Sequence, residues 1–212
     1  MSSDVLELRV WRGDITTLKV ESIVNASNVT GLGCFTPGHP CIDNAIHRAA
    51  GPDLLKECQT LGGIPTGVAK LTHAYRLPCK WIVHVTGPEV IRNSPQEDHT
   101  MLAQCYTAVL DLAVRYRIRE IAFCCLSTGV FGFDRQRAAH TALQTVRMWL
   151  TKNRHAIDRL LFAVFTDEDE KLYRQELPRI FCCAGNSMTD PVMHLQPGNP
   201  PFDSSCSASA SA

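Results

Sequence analysis

A chain of 212 residues, 45% of them apolar, is long enough for one α/β domain with a substantial core and barely enough for two small ones. Its 21 Lys and Arg balance 21 Asp and Glu, so no basic excess points to a nucleic-acid backbone or an anionic membrane surface. No apolar run reaches the roughly 18 residues of a membrane span, and MSSDVLELRVWRGD carries charges where a signal peptide needs its apolar core, so the chain is expected to be intracellular, in the cytoplasm.

LELRVW (6–11) alternates at Leu6, Leu8 and Val10, which predicts a half-buried strand broken at Gly13. Ile23 and Val24 form a short buried strand that ends in the turn residues NASN. A loop rich in Gly and Pro covers 31–41. Helical spacing then appears at Ile42, Ala45, Ile46 and Ala49 and stops at Gly51–Pro52; a second helix covers 53–61. Residues 68–75 alternate like a strand, and WIVHV (81–85) is apolar enough to be buried on both faces. A helix over 97–116, a strand over 121–126, a helix over 135–150, a strand over 159–165 and a helix over 168–181 follow.

Doubly buried strands alternating with helices predict an α/β/α sandwich of three layers around a mixed, largely parallel sheet. The stretch 184–212 is rich in Pro, Gly and Ser and is expected to be a disordered tail after a single domain over 1–183. Ten cysteines in a reducing compartment predict thiols, not a disulfide framework, with Cys124–Cys125 and Cys182–Cys183 as core fillers.

Ligands of open parallel sheets bind beyond the carboxyl ends of the strands. GDIT (13–16), NASN (25–28), the TGP after WIVHV, and STGVFGFD (127–134) sit at such ends. STGVFGFD leads from a buried strand into a helix, with Asp134 as N-cap. Its glycines permit turns whose N–H groups converge on an anion, though a plain strand-to-helix connection has the same composition. Phe131 and Phe133 are expected to be exposed there and to cover something. In GCFTPGHPC (33–41), Gly38 and two prolines bend the chain around His39, so that Cys34, His39 and Cys41 can converge. Two thiolates and an imidazole suit zinc. Three ligands leave an open, catalytic position; a distant fourth would make the site structural. Asp43 follows in the first helical turn, either as a charge favoured by the helix dipole or as a group that orients water or a substrate hydroxyl. His47, His73 and His84 are expected to be structural, and the two glycosylation sequons at Asn25 and Asn28 are discounted.

GDIT, IVNASN, CIDNAIHRAAG and LSTGVFGFD, in this order, resemble the ADP-ribose-binding elements of the macrodomain family, over roughly residues 5–183. Hydrolytic macrodomains carry a Gly run leading into Val-Asp-Gly where this chain has GCFTPGHPC and Ile42–Asp43–Asn44. That departure is similar to the zinc-dependent subgroup, which carries this Cys-His-Cys loop.

The resemblance implies a zinc-dependent hydrolase that removes mono-ADP-ribose from modified protein side chains, with one zinc per chain on Cys34, His39 and Cys41. It implies that Asp14 accepts the adenine amino group beside the Ile15 N–H, and that Asn28 contacts the distal ribose. Ser127, Thr128, Gly129, Val130 and Phe131 would wrap the diphosphate, completed by Gly132 and Phe133. Asp43, with Asn28, would be catalytic. Departure at C1″ builds oxocarbenium character. Zinc would hold a distal-ribose oxygen or the modified side chain, or lower the pKa of a bound water to about 7. The rivals are a non-catalytic ADP-ribose reader with a structural zinc, and a zinc hydrolase or deaminase acting on free nucleotides. The H-x-E and P-C-x-x-C elements of the deaminases are absent.

Overall fold

Ile23 and Val24 are both fully buried, although neighbouring residues of a strand point to opposite faces. Their strand therefore needs cover on both sides. The computed structural model, which describes residues 6–36, 38–90, 95–181 and 192–195, supplies it. In chain order the elements are β1 (Leu6–Arg12), a single 3-10 turn (Ile15–Thr17), β2 (Ser22–Ser27), α1 (Ile42–Ala50), α2 (Pro52–Thr60) and β3 (Ala69–His73). Then come β4 (Trp81–Thr86), α3 (Pro95–Arg115), β5 (Glu120–Phe123), α4 (Arg135–Lys152), β6 (Arg159–Val164), α5 (Asp167–Phe181) and β7 (Val192–Leu195).

The strands form one sheet in the order β3-β4-β2-β5-β6-β1-β7. β4, β2, β5, β6 and β1 run parallel, and the edge strands β3 and β7 run antiparallel to their neighbours. α1 and α2 pack together against β2 and β3, while α3, α4 and α5 pack side by side in chain order. This is the mixed, largely parallel sandwich expected from the apolar runs. Among the described residues no helix is long and apolar enough to cross a membrane.

Two local expectations need correction. Val192–Leu195, inside the stretch read as a tail, pairs with Leu6–Arg9. β1 would otherwise leave one edge of N–H and C=O groups unpaired, and a four-residue partner is too short to show periodicity in a Pro- and Ser-rich background. The rest of 184–212, except those four residues, lies outside the described residues, as do Cys182 and Cys183. Phe133 is 5% exposed, not a solvent-side aromatic. Its ring meets the His99 ring edge-on at 5.4 Å and anchors the loop to α3.

Because five strands run parallel, the loops after β1, β2, β4, β5 and β6 open at one end of the sheet. Helix starts are fixed beside them. Asp134 caps α4 by accepting from the Arg137 N–H at 2.8 Å. Cys41 caps α1, its Sγ accepting from the Asn44 N–H at 3.5 Å.

Candidate active site

Those loops surround a cavity of about 700 Å³, within the size range of small-molecule sites. Asp14, Ile15, Asn28, Cys34, His39, Cys41, Asp43 and Ser127–Phe131 all line it. Gly132 and Phe133 do not. Twelve residues chosen from three loops and the first turn of α1 thus meet in one place.

One end is built on β1 and β6. The Gly13 N–H donates to the Val164 carbonyl at 3.0 Å, so the residues after each strand leave side by side. Asp14 Oδ1 accepts from the Thr16 N–H and hydroxyl at 2.9 and 2.7 Å, which shapes the turn. Phe165, next to it, is 74% exposed. An aromatic ring left in water at the mouth of a cavity is a ready platform for a flat heterocycle. Sequence reading missed it; the available signal was an aromatic at the carboxyl end of a buried strand.

The middle is the loop after β5. Its turn is closed by Gly132 N–H to Gly129 C=O and by Phe133 N–H to Ser127 C=O, each at 3.0 Å. Among the described residues, the N–H groups of Gly129, Val130 and Phe131 have no backbone acceptor. Backbone N–H groups without an acceptor, on residues that line a cavity, suit an anion. Ser127 has φ +62°, rare for a side-chain-bearing residue, and its buried Oγ has no partner. Two cationic side chains also border the cavity. Arg135 is already engaged by Thr166, Glu168 and Asp169 at 3.3, 3.1 and 3.4 Å, and Arg48 lies at the exposed rim.

The other end carries the acid and the thiols. Asn28, 7% exposed, spends its amide on its own loop. It donates to the Gly33 carbonyl at 2.8 Å and accepts from the Thr30 N–H and hydroxyl at 3.0 and 2.6 Å. Cys34, His39 and Cys41 gather so that their ligand atoms lie within 4.8 Å of one another, with Cys34 Sγ 3.9 Å from His39 Nδ1. Ligands about 2.0–2.3 Å from a tetrahedral zinc stand roughly 3.5 Å apart, so small side-chain rotations suffice and the donor set fits the metal. Among the described residues this is the only such cluster. Burial pushes the Cys41 thiol pKa up; a bound cation would reverse that.

Asp43 is 4% exposed. Its Oδ1 accepts from Asn25 Nδ2 at 2.7 Å, and its Oδ2 has no partner. Burial raises its pKa more than the Asn25 hydrogen bond and the nearby His47 lower it. His47 Nε2 stands 3.5 Å away and makes no hydrogen bond; burial lowers its pKa, against the pull of Asp43. A carboxylate with one oxygen tethered and the other free, on a cavity wall, is arranged to accept a proton or a hydrogen bond from a guest.

A Macro domain family model matches residues 24–142. The chain belongs to the Macro domain family. The protein-ADP-ribose hydrolase of Treponema medium is 48% identical over 174 residues, 78% of this chain and 65% of that protein. The human ADP-ribose glycohydrolase MACROD2 is 44% identical over 184 residues, 85% of this chain and 41% of that one. This macrodomain thus spans two thirds or less of these curated relatives. The solved Trypanosoma brucei macrodomain in complex with ADP-ribose superposes with a TM-score of 0.73 at 38% identity, covering 80% of this chain and 68% of that one.

Proposed function

We propose that this macrodomain hydrolyses mono-ADP-ribose from modified protein side chains and that Cys34, His39 and Cys41 hold one zinc ion beside the reacting ribose. The observation that carries the reading is Asp43: a buried carboxylate with an unpartnered Oδ2, on a residue that lines the same cavity as the thiol–imidazole cluster. A module that only reads ADP-ribose has no use for it, since an unpartnered buried carboxylate oxygen costs stability. The names of the relatives, and the ADP-ribose bound to the trypanosomal macrodomain, support the substrate class.

The adenine ring lies against Phe165, with Asp14 accepting from its amino group and the Ile15 N–H beside it. The free N–H groups of Gly129, Val130 and Phe131, flanked by Ser127 and Thr128, hold the diphosphate. That places the distal ribose by Asn28 and Asp43. Asn28 acts chiefly by fixing the loop on which the ribose rests. Asp43 Oδ2 accepts a hydrogen bond from the water that attacks C1″, or from a ribose hydroxyl, as the bond to the protein side chain breaks with oxocarbenium character. His47, kept neutral by burial, places no competing charge there. Zinc, when bound, supplies a Lewis acid at this end of the cavity.

The test is metal content and ADP-ribose release on one preparation, before and after chelation. About one zinc per chain, with release lost on stripping and regained with zinc, supports the reading. Zinc bound, ADP-ribose bound and no release would make the protein a reader with a structural metal.

A further inference from the structure

Asn25 is fully buried on β2, directly across from His84 on β4 in the parallel register. Both point to the face that carries α1. The Asn25 amide nitrogen is 2.7 Å from Asp43 Oδ1 and 3.1 Å from His84 Nδ1. A carboxamide nitrogen has two hydrogens and no lone pair to offer. If it serves both neighbours it donates to both, so His84 Nδ1 must be the bare, accepting nitrogen. The ring proton then sits on Nε2, which is 2.8 Å from Thr72 Oγ1. His84 is fully enclosed, and burial pushes its pKa down to about 3, so the ring stays neutral and its hydrogen bonds choose between the two tautomers. Turning the amide over would set its oxygen against Asp43. The orientation shown leaves Asn25 Oδ1 without a partner, a cost the fold carries at this position.

We propose that Asn25, His84 and Thr72 are positioning residues for Asp43: Asn25 donates both to Asp43 Oδ1 and to His84 Nδ1, His84 Nε2 donates to Thr72 Oγ1, and the set locks the carboxylate with Oδ2 unclaimed. The inference rests on the role given to Asp43 above. Each link has one direction. The Asp43 carboxylate, which would repel the amide oxygen, fixes the way round of Asn25. The amide nitrogen has only hydrogens to offer, which fixes the His84 tautomer, and the Thr72 hydroxyl accepts from the protonated Nε2. The amide then grips Oδ1 and leaves Oδ2 unclaimed. Asp43 sits on a helix, but its rotamer is set from the sheet, by Asn25, 18 positions before it, and by His84, 59 positions after Asn25. None of the three touches the substrate.

The first readout needs no variant: nitrogen-15 NMR of the His84 ring in the intact chain. The expected signature is a protonated Nε2 and an unprotonated, hydrogen-bonded Nδ1, unchanged from pH 8 to pH 5. A proton on Nδ1 overturns the proposal. The second is kinetic. Asn25→Leu and His84→Leu are expected to lower kcat by about 10-fold or more with KM and ADP-ribose affinity nearly unchanged. His84→Gln, which offers both an acceptor and a donor, is expected to restore most of the loss. In an Asp43→Asn background, Asn25→Leu should have little further effect. If Asp43→Asn is crippled while Asn25→Leu turns over like the parent, the positioning role alone falls. If Asp43→Asn keeps full turnover, the reading of Asp43 falls and takes this proposal with it.

Discussion

A Cβ at position 87 would collide with the Oγ of Ser127. Gly87 follows β4 and Ser127 opens the loop after β5, so the two strand ends approach there as closely as a missing side chain allows. Gly87→Ala must therefore turn the Ser127 hydroxyl out of its place and crowd the start of the loop whose N–H groups follow it. The expected result is ADP-ribose affinity lowered about 10-fold, with a stability loss of about 1–3 kcal/mol, read by calorimetric titration and thermal unfolding. Unchanged affinity would show that this contact does not set the anion loop.

Asp43→Ala is expected to lower the rate of ADP-ribose release on the order of 10²–10⁴-fold while ADP-ribose still binds. Single-turnover release from a mono-ADP-ribosylated protein, beside a binding isotherm, checks both halves. Loss of both together would mean that the residue merely holds the cavity open.

Cys41 caps α1 and, in the proposed function, also completes the zinc site, and Cys41→Ser separates the two. Serine is a good N-cap, so folding should hold; the neutral hydroxyl is a poor zinc ligand, so metal content and turnover should fall together. Elemental analysis and the release assay on the same sample decide it. Full turnover without metal would remove zinc from the proposed function.

Phe165→Ala is expected to raise KM about 10-fold, with kcat at saturation kept, because stacking is worth about 1–3 kcal/mol per base and lies far from the ribose. A kcat effect at unchanged KM would place Phe165 elsewhere in the cycle.

His84 makes stability depend on pH. Its folded pKa, about 3, lies below the unfolded value near 6.5, so the unfolded chain binds the extra proton between these limits. Stability from this group is complete above about pH 6.5 and is lost as pH falls towards 3. Between pH 8 and pH 5 the loss is about 2 kcal/mol. Denaturant titrations of the parent and His84→Gln should differ by that slope; parallel curves would show that the ring ionises as readily folded as unfolded.

The parallel strands were legible because burial on both faces leaves nearly unbroken apolar runs, as in WIVHV. The Cys34–His39–Cys41 cluster was legible because its three ligands lie within one short, bent segment. The sequence also carries Asp43 and His47 at helical spacing, so their proximity followed from α1. Phe133 misled because a loop aromatic reads the same whether it anchors the loop or faces water; only the position of His99 on α3 decides. The Asn25–His84 contact was invisible for a different reason. It depends on the register of β2 against β4, which no local pattern records. His84 was read as a hydrogen-bonded core residue, and it is one, but nothing nearby in sequence names its partners.

The side chain of Asn28 closes on Gly33, one position before Cys34. Everything up to that point is a small arch fastened to itself, and Cys34, His39 and Cys41 all lie beyond it. The arch is closed by the Asn28 amide on one side and the Thr30 hydroxyl on the other. What lies beyond the arch is fastened to a different support: Cys41 Sγ caps α1, and the Asn44 amide donates to the Thr36 and His39 carbonyls at 3.0 Å each, so a replacement for this stretch must keep its ties to the helix.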